Sequence, residues 1–237
     1  MIAFTRLHKQ FGRFVALHEI TLSLDRARIT GIIGPNGSGK STMMKSLLGL
    51  VTPTSGSISI DGYLLNGSSD YRRSLGYVPQ IAKFPQDLTG HEVIKIVKGL
   101  RPEPAIKEME LIARFHLESE LGKRVRAMSG GTRQKLSIVL ACMYDPPLLI
   151  CDEPTAGLDP VSNAHLKELL LELRRAGRTI LLTTHIMSDL DEIADDVVLL
   201  LEGRVRFVGP IRELKLKTGE PRLETAVARI LHEKGAA

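Results

Sequence analysis

The sequence predicts an α/β fold: a mostly parallel sheet, a small antiparallel β portion near the N-terminus and an inserted helical region. Three observations support this fold class. Short apolar strands alternate with helical segments in the C-terminal half, which is the pattern of a parallel sheet. Alternating runs open the chain, whereas from residue 81 to about residue 145 apolar residues recur at helical spacing. With 43% apolar residues, 237 residues can bury a substantial core.

The N-terminal part contains predicted strands and one helix. Residues 2–7, 15–24 and 29–33 have the short β-like runs of strands. A glycine-rich turn follows the third run and leads into a predicted helix at 41–50, which ends at a Pro/Ser/Gly stretch. Two further strands are predicted, one in the segment SISID and one at 74–78.

The middle and the C-terminal half differ in pattern. HEVIKIVKGL and AIKEMELIARFHL place apolar residues at helical spacing, with Pro and Gly between them. Strands are predicted at 148–151, 179–184 and 197–201, separated by helices near 164–176 and 187–194. We therefore expect a single domain over 1–237, with a core at 1–80 and 146–210, a helical subdomain at 81–145 and a helical tail at 211–237.

Composition limits the classes of partner. The chain has 32 Lys and Arg against 27 Asp and Glu, and this charge of +5 suits an anionic ligand, a membrane surface or nucleic acid. Aromatic residues make up only 4% and are not interleaved with basic runs, so no nucleic-acid partner is expected. No signal peptide opens the chain and no apolar run reaches the roughly 20 residues that cross a bilayer, so we expect any membrane role to come through a partner. Cys142 and Cys151 lie in apolar segments and are expected to be core residues.

The segment GPNGSGKST fits the phosphate-loop pattern G-x-x-x-x-G-K-[ST] and lies between a predicted strand and a predicted helix. Its glycines allow backbone N–H groups to close around phosphate oxygens, and the helix N-terminus adds a positive dipole. The lysine can reach the β- and γ-phosphates, and the serine after it can ligate Mg²⁺. The alternative is a glycine-rich turn that matches by chance. The predicted ATP-binding residues here are Gly34, Pro35, Asn36, Gly37, Ser38, Gly39, Lys40, Ser41 and Thr42.

Two adjacent carboxylates, Asp152 and Glu153, follow the predicted strand LLIC. Ligands bind at the carboxyl ends of parallel strands, so this is where a reactive pair is expected. Asp152 can serve Mg²⁺, and Glu153 can then polarise an attacking water, because phosphoryl transfer needs a positioned nucleophile and neutralised oxygens. The alternative is a surface acidic pair at the start of a loop.

A further segment, MSGGTRQ at 128–134, stands ahead of an apolar helix, and Gln80 precedes the helical region. With these residues the chain resembles the ATP-binding subunits of ABC transporters over nearly its whole length. The phosphate loop, Gln80, MSGGT, ICDEP, AGLD at 156–159 and His185 occur in the order of that family. The resemblance implies a P-loop (RecA-like) ABC ATPase core, with the N-terminal antiparallel β portion and with the signature MSGGT on the inserted helical subdomain.

The family assigns the signature serine and glycines to the γ-phosphate held by the opposite subunit, which implies this role for Ser129, Gly130 and Gly131, with Thr132 as the next signature residue. A hydroxyl and glycine backbone at a helix N-terminus form an anion site without a lysine of its own, which suits a phosphate presented from elsewhere. The alternative is an ordinary helix N-cap, since Ser followed by glycines also starts a helix.

The resemblance implies roles for four further residues. Gln80 would contact Mg²⁺ and water, so that the implied metal ligands are Ser41, Gln80 and Asp152. His185 would hold the γ-phosphate and the attacking water, although a histidine that closes an apolar strand is otherwise more often structural. Asp159 would help to join two subunits. Phe11 would stack on adenine, or else belong to the core.

The sequence departs from the commonest family pattern at three positions. Met128 replaces leucine, and Thr132 replaces the usual glutamine, which puts in doubt whatever the longer side chain reaches across the interface. Phe11 replaces the commoner tyrosine and keeps a ring face for adenine.

The resemblance implies an ATP-hydrolysing subunit that uses ATP and Mg²⁺, pairs head-to-tail with a second copy of itself and energises separate transmembrane permease subunits. Its expected location is peripheral, on the cytoplasmic side of the cell membrane. Two other classes compete: a soluble ABC ATPase of chromosome, repair or translation machinery, which long heptad arms or a second cassette would favour, and an ATP-sensing module without hydrolysis. MSGGTRQKLS and the segment TGEPRLETAVARI also resemble copper-processing subunits for nitrous-oxide reductase maturation, with general export subunits as the broader alternative.

Overall fold

The computed structural model describes residues 1–65, 67 and 70–232. The fold is α/β, with an antiparallel sheet and a mixed sheet. The chain forms two compact units: one from the described parts of 1–69 and 181–237, and one from 70–180.

The elements follow one another in chain order. The strands are β1 (Ile2–Phe11), β2 (Phe14–Leu24), β3 (Ile29–Ile33), β4 (Ser55–Ile60), β5 (Tyr63–Leu64), β6 (Leu75–Val78), β7 (Leu148–Asp152), β8 (Thr179–Thr183), β9 (Asp196–Leu201) and β10 (Arg204–Pro210). The helices are α1 (Lys40–Leu47), α2 (Gly90–Gly99), α3 (Glu108–Arg114), α4 (Gly130–Cys142), α5 (Pro160–Arg175), α6 (Met187–Ile193), α7 (Ile211–Thr218) and α8 (Leu223–His232), with 3₁₀ turns at Asp70–Ser74 and Val125–Ala127.

The antiparallel sheet belongs to the first unit and has the strand order β2-β1-β4-β5. Ile2 and Phe4 of β1 are buried, which fixes the register because a slip of one residue would turn them to the other face. The predicted antiparallel β portion is therefore confirmed. β1 and β2 are longer than predicted because a tight turn at Gly12, with φ of 56°, lets Phe11 pair with Phe14.

The first unit also contains strands of the mixed sheet. β3 is buried along its whole length and pairs in parallel with β9, whereas β9 pairs antiparallel with β10. β10 was not among the predicted strands. Its two arginines and its Gly-Pro end interrupt the apolar pattern by which a strand is predicted. Among the described residues, Phe207 is its one fully buried side chain.

In the second unit β6 and β7 pair in parallel, and α4 packs on β6. The packing is close, since a Cβ at Gly76 would lie 2.3 Å from the carbonyl oxygen of Ala141. α2 begins with a capping box between Thr89 and Glu92. α5 begins earlier than predicted because Asp159 caps it and proline occupies its first turn.

The C-terminal tail contains the two helices α7 and α8. Asp191 of α6 forms a salt bridge of 2.5 Å with Lys215 of α7 and accepts a hydrogen bond from the N–H of Leu223 in α8. The last part of the predicted tail, 233–237, lies outside the described residues. The predicted subdomain bounds stay a prediction.

Both cysteines, Cys142 and Cys151, are buried and free, and burial raises the pKa of Cys142 to about 12. Among the described residues, no helix combines the length and the apolar character needed to cross a membrane.

Candidate nucleotide-binding site

The phosphate loop connects the buried strand β3 to helix α1. Gly34 has φ of 149°, and a Cβ there would lie 2.1 Å from the carbonyl oxygen of Leu200. Gly39 has φ of 103°, and a Cβ there would lie 2.7 Å from the carbonyl oxygen of Ala16. Any other residue would clash at both positions, so glycine is required there and the loop is held close to its neighbours.

Two side chains of this loop fit a phosphate ligand. Lys40 is 8% exposed, and its ammonium donates to the carbonyl oxygens of Gly34 and Pro35 at 2.7 and 3.0 Å. Ser38 Oγ is buried without a hydrogen-bond partner in the part of the chain that the structure describes. A buried hydroxyl without a partner costs free energy, and a phosphate oxygen in the loop would remove that cost. Lys40 and Ser38 thus lie beside the backbone of Gly34, and the ATP-binding role of the predicted loop residues stays a prediction.

Phe11 lies at the tip of the β1–β2 hairpin and is 48% exposed, so it is not a core residue. The ammonium of Lys9 lies 4.7 Å from the centre of the ring and donates to the carbonyl oxygen of Thr52 at 2.7 Å. The lysine fixes the ring by a cation–π contact. An exposed ring held in this way suits stacking with a flat base.

In the second unit, β7 carries Asp152 at its end, and Asp152 is 8% exposed. Glu153 follows in a left-handed conformation with φ of 47°, which is strained for a residue other than glycine. The amide of Gln80 donates to Glu153 Oε2 at 3.0 Å. Burial, and to a lesser degree the charge of Asp152, raises the pKa of Tyr77 on the neighbouring strand. The structure therefore brings together two of the three predicted catalytic residues.

Gln134 follows the signature on α4 and was not among the predicted site residues. It is 2% exposed, and its amide donates to the carbonyl oxygens of Pro79 and Pro154 at 3.3 and 3.2 Å. These two prolines flank Gln80 and Glu153 in the chain. A polar side chain on the buried face of a largely apolar helix was the available signal, because such a group needs buried partners.

Ser129 caps the N-terminus of α4 and accepts a hydrogen bond from the N–H of Thr132 at 3.0 Å. Ser129 thus has the ordinary N-cap role. This role does not exclude phosphate binding, because the Ser129 hydroxyl is exposed. A Cβ at Gly131 would lie 2.6 Å from the carbonyl oxygen of Gly157, so the signature turn is pressed against the turn before α5.

Asp159 lies at the end of that turn and caps α5 by accepting from the N–H and the hydroxyl of Ser162, at 2.9 and 2.7 Å. It also forms a salt bridge of 2.9 Å with Lys135 of α4. The Ser162 N–H and Lys135 together hold the pKa of Asp159 well below its usual range. Its contacts lie within its own chain, and its predicted role between subunits stays a prediction.

His185 belongs to the first unit, where it follows β8 and is exposed. The hydroxyl of Thr184 accepts a hydrogen bond from the N–H of Ile186 at 3.0 Å and shapes the turn that presents the imidazole. The residue is therefore exposed at the carboxyl end of a strand.

A family model described as "ABC transporter" matches residues 17–156, which include the phosphate loop, the signature and both carboxylates. The chain belongs to the ABC transporter family. It is an ATP-binding cassette, and the cassettes of this family are ATPases coupled to transport. The Nod factor export ATP-binding protein I of Ralstonia nicotianae is 34% identical over 213 residues, which are 88% of this chain and 66% of that protein. The chain thus spans just under two thirds of that relative's length.

Solved structures of ABC cassettes share this fold. One, described as the structure of an ATP-binding subunit of an ABC transporter, is 32% identical, with a TM-score of 0.91 over 98% of this chain and 99% of that chain. Another is a dimeric ATP-binding cassette in a post-hydrolysis state bound to ADP and Pi. It is 25% identical, with a TM-score of 0.78 over 89% of this chain and 98% of that chain.

Proposed function

We propose that this chain hydrolyses ATP as a head-to-tail dimer and drives a separate transmembrane permease. The observation that carries hydrolysis, as opposed to binding alone, is the Gln80–Glu153 contact of 3.0 Å at the end of β7. A carboxylate held in a strained backbone and oriented by an amide has the arrangement of a positioned general base. A module that only senses ATP would not need this arrangement.

The proposed roles follow from the chemistry of each group. The backbone of the phosphate loop and Lys40 bind the β- and γ-phosphates, and the exposed ring of Phe11 stacks on adenine. Hydroxyl, amide and carboxylate oxygens are the hard ligands that Mg²⁺ prefers, so Ser41, Gln80 and Asp152 are suited to hold it. The ion would neutralise charge on the phosphate oxygens.

Two side chains handle the attacking water. Glu153 accepts its proton, because the amide of Gln80 orients the Glu153 carboxylate. His185, exposed at the end of β8, donates to the γ-phosphate and positions the water.

Ser129, Gly130 and Gly131 complete the site of a second copy. Ser129 is exposed at a helix N-terminus, and no acidic residue stands in the first turn of α4 to repel an anion. No lysine or arginine side chain is bound at this hydroxyl among the described residues, so the turn suits a phosphate that another chain already holds. The dimeric ADP-bound cassette supports this assembly.

The membrane partner is proposed to dock on the second unit near Gln80. Ile81 beside it is 67% exposed, and Leu100, Ile106 and Met109 of the same unit are exposed to a similar degree. Exposed apolar side chains such as these suit contact with a permease helix. The subunit would then lie peripherally on the cytoplasmic side of the membrane.

The direction proposed for transport is export, which the name of the Ralstonia nicotianae relative supports. The copper-processing alternative stays a prediction from MSGGTRQKLS and the tail segment alone, since neither the relative nor the two cassette structures carry that description.

A phosphate-release assay on the purified chain tests the proposal. Specific activity should require Mg²⁺ and should rise with protein concentration, because each site needs two chains. Activity that is absent at every concentration, or that is independent of concentration down to the nanomolar range, would contradict it. Lys45 is an exposed lysine of α1, so Lys45→Ala is the matched control for a variant that lacks Lys40.

A further inference from the structure

We infer that Thr132 is a positioning residue for the signature serine: its hydroxyl donates to Ser129 Oγ and leaves the Ser129 proton free for a phosphate held by the second copy. The inference rests on the proposed shared site and deepens it. At this position the chain has threonine, whereas the commonest family pattern has glutamine.

The geometry joins the two side chains directly. Ser129 Oγ lies 2.8 Å from Thr132 Oγ1, within the range of a hydroxyl–hydroxyl hydrogen bond, and either oxygen can be the donor. Ser129 Oγ also accepts from the N–H of Thr132 at 3.0 Å. The same residue therefore approaches the serine oxygen with both its backbone and its side chain.

The proton and the lone pairs of the Ser129 hydroxyl determine whether it can donate or accept a hydrogen bond. A hydroxyl has one proton and two lone pairs. When Thr132 donates both its N–H and its O–H to Ser129 Oγ, both lone pairs of Ser129 are occupied. Ser129 can then act only as a donor, and its proton points away from the pair, toward an anion. Hydrogen bonds in such a chain polarise one another, which strengthens the outer one.

The surroundings hold this arrangement in place. Ser129 is exposed and Thr132 is half-buried, so the Ser129 hydroxyl is more open to solvent than the Thr132 side chain that donates to it. The 2.6 Å approach of the Gly157 carbonyl to a Cβ at Gly131 prevents the turn from shifting. Arg133 donates to the carbonyl oxygen of Met128 at 2.8 Å, so its guanidinium is engaged with the backbone before the serine.

Other side chains at this position would act differently. Valine has the shape of threonine without the hydroxyl, and serine keeps the hydroxyl without the methyl group. Thr132 is the third residue of α4, where a glutamine side chain reaches back to the backbone N–H of the N-cap residue in a capping box. With glutamine, the backbone N–H of residue 132 would still donate to the serine oxygen, but the side chain would bond to the backbone and leave the second lone pair of the serine hydroxyl unoccupied.

Steady-state ATP hydrolysis by the purified chain tests the inference. Thr132→Val should raise the KM for Mg-ATP by about fivefold with kcat little changed, the order expected for one neutral hydrogen bond that acts in the bound state. Thr132→Ser should restore the wild-type KM. Thr132→Ala is the second variant if the valine variant does not fold, and melting temperatures of all variants identify effects on helix stability alone.

A double-mutant cycle with Ser129→Ala separates the possible outcomes. Because Thr132 acts through Ser129, Thr132→Val should add little to Ser129→Ala. Full additivity, or a serine variant that behaves like the valine variant, would overturn the inference. If Ser129→Ala raises KM and Thr132→Val does not, the inference fails and the shared site stands. If Ser129→Ala changes neither KM nor dimerisation, the shared site itself fails.

Discussion

The phosphate loop and the signature turn are both anion sites at helix N-termini, and they differ in how complete they are. In the loop, Lys40 is buried and donates to backbone carbonyl oxygens, and Ser38 Oγ has no hydrogen-bond partner among the residues that the structure describes. In the signature turn the nearest cations are engaged elsewhere: Arg133 donates to Met128 and Lys135 pairs with Asp159. The loop can bind a phosphate alone, whereas the turn offers one hydroxyl and a helix dipole.

This difference explains why hydrolysis should need two chains. A site that binds weakly by itself adds affinity only when another site presents the ligand. Both sites need glycine at a close backbone contact, Gly34 with Leu200 and Gly131 with Gly157. These contacts restrain the backbone of each site, so we do not expect one site to take over the role of the other.

The largest expected effect separates the two sites. Lys40→Ala should abolish both nucleotide binding by the monomer and hydrolysis, because it removes the one lysine in the loop cradle. Ser129→Arg should abolish hydrolysis while monomer binding, followed with a fluorescent ATP analogue, stays near the wild-type value. Loss of monomer binding in Ser129→Arg would break the comparison.

The next effect concerns the chemical step. Glu153→Gln keeps the shape and the contact with Gln80 but cannot accept a proton, so turnover should fall by about 10² to 10⁴ while ATP binding persists. Phosphate release and ATP titration measure the two quantities. Glu168→Gln, at an exposed glutamate of α5, is the matched control and should retain full activity. Equal loss in both variants would contradict the role of Glu153.

Gln134 should have a smaller effect on both stability and activity. Gln134→Met removes the two hydrogen bonds to Pro79 and Pro154 and leaves their carbonyl oxygens buried, which should cost about 1–3 kcal/mol. For a chain of this size the melting temperature should fall by roughly 2–12 °C. Activity should fall more than the unfolded fraction explains, because Gln80 and Glu153 lose a shared support. An unchanged melting temperature would contradict this role.

The smallest effect is the pH dependence of the Asp159 contacts. The pKa of Asp159 is lowered in the folded chain, so its contribution to stability is present above the unfolded pKa of about 3.9 and is lost as pH falls below it. Asp159 is largely exposed, so the contribution should be below about 1 kcal/mol. Denaturant unfolding of wild type and Asp159→Asn should differ by a constant amount above about pH 5 and converge in acid. A difference that grows in acid would contradict it.

The sequence alone predicts the parts of this fold in which local pattern decides the structure. The loop glycines, the strand before them and the start of α4 after Ser129 carry their own signals, whereas the start of α5 and the full length of β1 and β2 were not predicted. β10 escaped prediction because arginines interrupt its apolar pattern. The contacts of Gln134 and the close distance between Gly131 and Gly157 were not predicted, because they depend on which segments meet in the fold. The spacing of residues in the sequence does not contain that information.

The measurement that tests the shared site most directly is the molar mass of Glu153→Gln by light scattering, with and without Mg-ATP, over a range of protein concentrations. ATP should still bind and turnover should be slow, so the chain should shift from monomer to dimer when ATP is added. Adding Ser129→Arg should return it to monomer, because arginine brings bulk and a misplaced charge to the turn. A Glu153→Gln chain that binds ATP and stays monomeric at high concentration, or a double variant that still dimerises, would contradict the account.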